Sequence, residues 1–355
     1  MNNTYALLVK TGESELRGLS NLSSTKGLLP IIELTRGRKT KKDSIGDINK
    51  KIDKAADCFR DIKVIMDLTA EKSLSNEQID KLYNADSGYS NWINFLLKLK
   101  KEKTFKEIIP TIILNVDDDD FEENLKLQLK ELVSSFQTIA YRCDIQDDGY
   151  IDDLKIMSEY IDKIDCLYFI IDNSHIRPSE YNNCKNKSIE IISNISRDSR
   201  VAHKTQIIIT STSFPDKKEN DNDIINLIEI DLYDQIKVES KIDLIYGDYG
   251  SINPIRNDTV IMGNGWRPRI DVPLERKIYY YRKRKIPTGY SKTYSLVAED
   301  VINDKNFPNK LKDNWGINQI INAADGASPG SSPSFWISVR LNIHIEQQQR
   351  RLGLL

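Results

Sequence analysis

Eight short apolar runs, each closing on a polar or charged residue, constrain this chain more than any other feature. In order they are Tyr5 to Lys10, Pro30 to Thr35, Ile62 to Thr69, Ile108 to Asn115, Thr138 to Asp144, Cys166 to Asn173, Thr205 to Ser213 and Ile242 to Gly250. The runs are continuous rather than alternating and rich in Ile, Val and Tyr, as parallel strands buried on both faces require. Polar, helix-length segments separate them. One such segment sets Ile45, Ile48, Ile52, Ala55, Ala56 and Phe59 along a single stripe with lysines opposite, the pattern of a covering helix. Eight strand-helix units within residues 1–250 predict an α/β fold, a TIM-like (β/α)8 barrel, whose reactive groups sit at the C-terminal ends of the strands.

Past Gly250 the rhythm stops. The stretch from Ser251 to Pro273 is rich in Gly, Pro and Asn, which predicts a loop with edge strands or a hairpin. A strand with a basic end follows (RKIYYYRKRK), then three helices, the last long and amphipathic. Residues 251–355 are thus expected to form a C-terminal extension packed on the barrel. Within the first part, PDKKENDND (215–223) reads as a polar loop, and Ile225, Ile228, Leu232 and Ile236 favour a helix after it, although Leu227 to Ile230 alone would pass for a strand.

Composition narrows the function classes. Lys and Arg number 51 against 53 Asp and Glu, a net charge of −2, so no whole-protein field draws the chain to nucleic acid or a membrane. No run of about 18 apolar residues and no basic leader followed by an apolar stretch occurs. The four cysteines, Cys58, Cys143, Cys166 and Cys184, form no CxxC pair and read as free thiols. A cytoplasmic protein with no membrane partner is expected.

Chemistry concentrates at the strand ends. Lys10, Glu33, Asp67, Asn115, Arg142, Asp144, Asp172, Ser211 and Asp248 all lie at or near them, and a closed barrel would gather them over one cup. Glu33, Asp67, Asp172 and Asp248 have the chemistry for acid–base work or for holding a divalent metal; the alternative is that several cap the next helix or point outward. A second constellation joins Tyr279, Tyr280 and Tyr281 to Arg282, Lys283, Arg284 and Lys285, either to stack bases and neutralise phosphates or as an edge strand that buries tyrosine. Third, Trp336, Arg340 and His344 share a face of the last helix. Arg340 and His344 become anion-binding and proton-transfer candidates if that helix covers the mouth, and structural residues if it does not. Asp117 to Asp120 read as a helix start or as a metal loop, without the ligand spacing of a calcium site. The amides of Gly326 to Ser332 are a candidate anion cradle. No GxSxG, Walker, GxGxxG or HExxH motif is present.

The opening YALLVKTGESELRGLSNLSSTKGLLPIIELTRGR, the LIYGDYGSINP segment and the C-terminal SPSFWISVRLNIHI together resemble the beta family proteins of bacteria and their phages. That resemblance implies a barrel-like organisation and a mobile-element or anti-phage defence setting; no catalytic role carries over from it. The leading expectation is a barrel enzyme or enzyme-like effector, such as a hydrolase or phosphodiesterase, acting on a phosphorylated ligand (a nucleotide or nucleic-acid end). Glu33, Asp67, Asp172, Asp248 and His344 would be its catalytic groups, and Lys10, Arg142, Arg282 and Arg340 its phosphate clamps, because Arg meets phosphate bidentately. The competing expectation is a catalytically silent barrel that binds a phage protein or a partner subunit.

Overall fold

The structure is a computed structural model describing residues 4–41, 43–115, 117–216, 220–254, 265–327 and 329–355. All eight apolar runs are strands: β1 (Tyr5–Lys10), β2 (Leu28–Leu34), β3 (Lys63–Leu68), β4 (Glu107–Pro110), β5 (Thr138–Asp144), β6 (Cys166–His175), β7 (Thr205–Thr212) and, after an interposed β8 (Asn222–Asn226), β9 (Leu244–Asp248). They pair in parallel in the order β4-β3-β2-β1-β9-β7-β6-β5. A parallel bridge between Thr111 and Ala140 joins the two outer strands, with the Ile112 N–H donating to the Ala140 carbonyl at 2.8 Å. The sheet is nearly closed into a barrel flanked by helices, as the run pattern requires.

Side-chain alternation splits each strand between two cores. Ala6, Leu8, Leu29, Ile31, Ile65, Ile109, Ala140, Tyr168, Ile170 and Ile208 fill the barrel interior. Their sequence neighbours, among them Leu7, Val9, Ile32, Met66, Phe169, Ile171 and Ile209, pack outward against the helices. Both sets are apolar, which is why the runs show no alternation in the sequence.

The remaining strands, β8 with β10 (Arg269–Pro273) and β11 (Lys277–Arg282), form an antiparallel sheet in the order β10-β11-β8. β8 comes from the end of the stretch read as a polar loop and from the residues after it. Asn222, Asp223 and the exposed Ile224 carry little strand signal, and the segment is extended because it pairs with Tyr279 to Tyr281 of β11. The helix after it, Ile228–Ser240, forms as expected. The Gly- and Pro-rich stretch from Ser251 yields β10, while its part 255–264 lies outside the described residues. His203, in a stretch read as a loop, lies in a short helix, Ser199–Lys204.

The last helix, Pro333–Arg351, departs from the amphipathic expectation: every residue from Ser338 to Gln349 is buried. Its polar side chains find partners on every side, as buried polar groups must. Asn342 Nδ2 donates to the Gly18 and Asn21 carbonyls at 3.0 and 2.9 Å, and its Oδ1 accepts from the Gly316 N–H at 3.1 Å. Gln347, Gln348 and Gln349 donate to the carbonyls of Pro273, Glu275, Ser24 and Lys26. Close approach depends on two glycines. A Cβ on Gly18 would stand 2.8 Å from the Ser338 carbonyl oxygen, and one on Gly316 2.7 Å from that of Val339, so only glycine lets these helices touch the last one. Among the described residues no helix is long and apolar enough to cross a membrane.

His344 at the centre of this helix bonds Asp248 of β9 at 2.8 Å, and neither side chain is exposed by more than 1%. Truncation would empty a buried site and deprive a buried carboxylate of one of its partners, so His344→Ala is expected to cost about 2–4 kcal/mol, read as a lowered urea midpoint; a loss below about 0.5 kcal/mol would show that the pair does not hold the helix to the barrel wall.

Candidate active site

Lys10, Glu33, Asp67, Arg142 and Asp172, all inward-facing, meet at the C-terminal mouth of the barrel. Parallel register sets Lys10 beside Glu33, Glu33 beside Asp67, and Asp144 beside Asp172. Arg142 of β5 crosses the mouth to reach them. Its Nη1 lies 2.7 Å from Asp67 Oδ2 and 3.2 Å from Glu33 Oε2, and its Nη2 and Nε lie 2.7 and 2.9 Å from Asp172 Oδ2. Tyr249, just past β9, donates its hydroxyl to Asp172 at 2.7 Å and accepts from Arg142 Nη2 at 3.3 Å. Lys10 Nζ donates to Glu33 Oε1 at 2.6 Å and keeps 22% exposure. These residues, with Glu71, Tyr83, Thr111 and Asp144 among others, line an open cleft of about 340 Å³, within the size range of small-ligand sites.

The electrostatics push neighbouring carboxylates apart. Burial works to raise Glu33, but the charges and hydrogen bonds of Lys10 and Arg142 override it and hold its pKa at about 2. Asp67 has no lysine; burial raises its pKa above the ordinary value, Arg142 only partly opposing and Glu33 adding to the rise. A carboxylate fixed in its ionised form beside one that retains its proton more readily is the usual arrangement for dividing acid–base roles. Burial works against the Arg142 charge, yet Asp172, Tyr249, Asp67 and Glu33 together raise its pKa further. Among the described residues no group of three or more His, Cys, Asp or Glu side chains is placed to hold a metal ion.

A family model described as "Beta protein" matches residues 5–350. The chain belongs to the Beta protein family. It is 26% identical over 357 aligned positions to "Protein beta" of Enterobacteria phage P4, covering 98% of this chain and 93% of that one. Among solved structures, a GH18 chitinase from Pseudoalteromonas aurantia is similar at a TM-score of 0.39 and 12% identity, over 70% of this chain and 95% of that one. The biosynthetic arginine decarboxylase SpeA from Campylobacter jejuni matches at 0.40 and 9% identity, over 99% of this chain and 57% of that one.

Other residues singled out in this Beta family chain lie elsewhere. Asp248 does not join the mouth: it faces outward from β9, accepting from Tyr5 and Tyr246 hydroxyls at 2.6 and 2.9 Å and from His344. Burial works to raise its pKa, and His344 with these bonds lowers it. The last helix packs on the barrel wall and the three-stranded sheet, so Arg340 is buried in an ion pair with Asp271 at 2.9 Å, its guanidinium 3.9 Å above the Phe214 ring. Arg282 ends β11 near Asp221 at 3.7 Å. Tyr279 and Tyr280 are buried and Tyr281 bonds Asp304 at 2.9 Å, so the three tyrosines present no stacking platform. Asp117 to Asp120 precede the helix Phe121–Ser135. The four cysteines are free thiols. Of the glycine-rich anion loop, Ser328 lies outside the described residues. The residue missed is Tyr249. Alternation through the eighth run, with Tyr246 and Asp248 outward and Tyr249 inward, is the signal that would have found it.

Two outcomes follow for stability. Glu33, held at about 2 against an ordinary 4.5, contributes stability that is complete above pH about 4.5 and lost as pH falls toward about 2; Lys10→Met is expected to move this loss to higher pH in urea titrations. Arg142→Met leaves Asp67 and Asp172 without their cation and Glu33 with Lys10 alone, and is expected to lose about 3–5 kcal/mol at pH 7. Part of that loss returns by pH 4–5 as the freed carboxylates protonate; a pH-independent loss would show that packing, not charge, was removed.

Proposed function

We propose that the mouth is the active site of a barrel enzyme acting on a phosphorylated ligand, a nucleotide or nucleic-acid end, in the cytoplasm. The observation carrying this reading is the convergence of Lys10, Glu33, Asp67, Arg142 and Asp172 from five strands on one open cleft. Lys10 has three donors and commits one to Glu33, so it is placed to take a phosphate oxygen at the rim. Arg142 supplies the positive charge beneath. Asp67, the carboxylate with the raised pKa, is the proton donor to a leaving group. Asp172, oriented by Arg142 and Tyr249, is the base for an attacking water, and together they make a hydrolase. The relative from phage P4 supports a mobile-element or anti-phage defence setting.

A second reading rests on one observation: Arg142 is already engaged by three carboxylates and a tyrosine. A guanidinium so satisfied also suits a catalytically silent barrel that binds a phage protein or a partner subunit.

Thermal melting with nucleotides, inorganic phosphate, Mg²⁺ and Mn²⁺ separates the two. A ligand at about a hundred times its Kd adds about 2.7 kcal/mol, roughly 3–4 °C for a domain of this size. Lys10→Ala and Asp67→Asn are expected to abolish the shift, with Asp67→Asn also abolishing turnover. No shift with any of these ligands favours the silent barrel.

A further inference from the structure

At the opposite end of the barrel the wall is left open. Among the described residues β4 and β5 share one bridge, at Thr111 and Ala140, and no ladder beneath it. Pro110 supplies the reason. The Thr111 N–H points to β3, donating to Met66, and the Ile112 N–H to β5, donating to Ala140. By alternation the next bond toward β5 would come from residue 110, and proline has no N–H to give. The same alternation turns the main chain of Ile108 toward the gap. Below the bridge a cleft of about 1040 Å³ opens between the starts of the two strands and the helix ends above them.

The cleft has an apolar floor and a cationic rim. Phe105, Ile108 and Phe136 lie beneath. Arg60, Lys100, Lys103 and Lys106 stand around it against Asp61 and Glu107, a local positive excess in a chain whose net charge is −2. Lys100 lies 4.8 Å over the Phe136 ring and donates to the Ser135 carbonyl. Both phenylalanines are buried, with relative exposures of 4%, so no ring projects for base stacking, which single-stranded nucleic acid would use. A strand start whose main-chain groups turn toward a cleft rather than toward a paired strand is instead the template for adding an extended segment.

We propose that this seam binds an extended acidic peptide segment of a protein partner, laid along the start of β4, with its carboxylates on Arg60, Lys103 and Lys106. The site is independent of the mouth and of the reaction proposed there.

The test is fluorescence anisotropy on the full chain with a fluorescein-labelled octapeptide of alternating glutamate and valine. Saturable binding is expected to weaken about tenfold or more in K103E/K106E, whose side chains are exposed and whose melting temperature should be unchanged. Replacing the central valines of the peptide by proline, which removes main-chain donors, should weaken it further, whereas Asp67→Asn should leave it unaltered. Absence of binding, binding indifferent to K103E/K106E, or equal binding of the proline peptide would each overturn the proposal. So would an oligo-dT strand that binds more tightly than the peptide at the same salt, by assigning the groove to nucleic acid.

Discussion

Closing eight parallel strands on themselves obliges every strand to divide its side chains between a narrow interior and a helix-covered exterior, and most of what this protein presents follows from that division. Below the mouth the interior is filled mainly by apolar residues. At the top, where that filling ends, the inward positions are Lys10, Glu33, Asp67, Arg142 and Asp172. They are the positions from which charged groups reach both one another and solvent. One residue further along a strand means the other face, and Asp248 shows the consequence. It is an aspartate near the C-terminal end of its strand, as Asp172 is, yet it belongs to the wall contact with His344.

Charge balance decides how the mouth is held. Three carboxylates in so small a space would repel one another and protonate; Arg142 keeps them together because its planar fork reaches all three from one position. The cost of burying that guanidinium is offset only while the carboxylates surround it. The network is therefore both the condition for the site and its principal restraint. An anion of the kind proposed, bound over Lys10, would have to compete with Glu33 or loosen the Arg142 contacts. Asp67, the member whose pKa burial raises, is the one best able to take up a proton as that happens.

The last helix applies a different rule. It is surrounded by protein along most of its length, and its polar side chains act as specific attachments rather than as a solvated face. Each hydrogen bond adds only about 1 kcal/mol net, but leaving any one unmade costs more than forming it gains. Asn342 against the Gly18 and Asn21 carbonyls, His344 against Asp248, and Gln347 against Pro273 fix the helix against the barrel and the three-stranded sheet at once. This is why Arg340 and His344, which share a face with Trp336, are spent on internal contacts rather than on the mouth.

The sequence by itself determined the eight strands, their order along the chain, the helices between them and the end of the barrel at which charge collects, because burial on both faces writes long apolar runs that no turn or surface helix imitates. It also carried the strand-end residues of the mouth, since a polar residue closing such a run has few places to go. Tertiary structure alone decided which of those residues face one another, because a shift of one position in a strand reverses direction without altering composition. It likewise decided that the segment from Asn222 to Asn226 is a strand, for want of any local signal beyond its pairing with β11, and that a polar helix is interior, for burial of glutamine and histidine depends on partners 73 to 325 residues away in sequence.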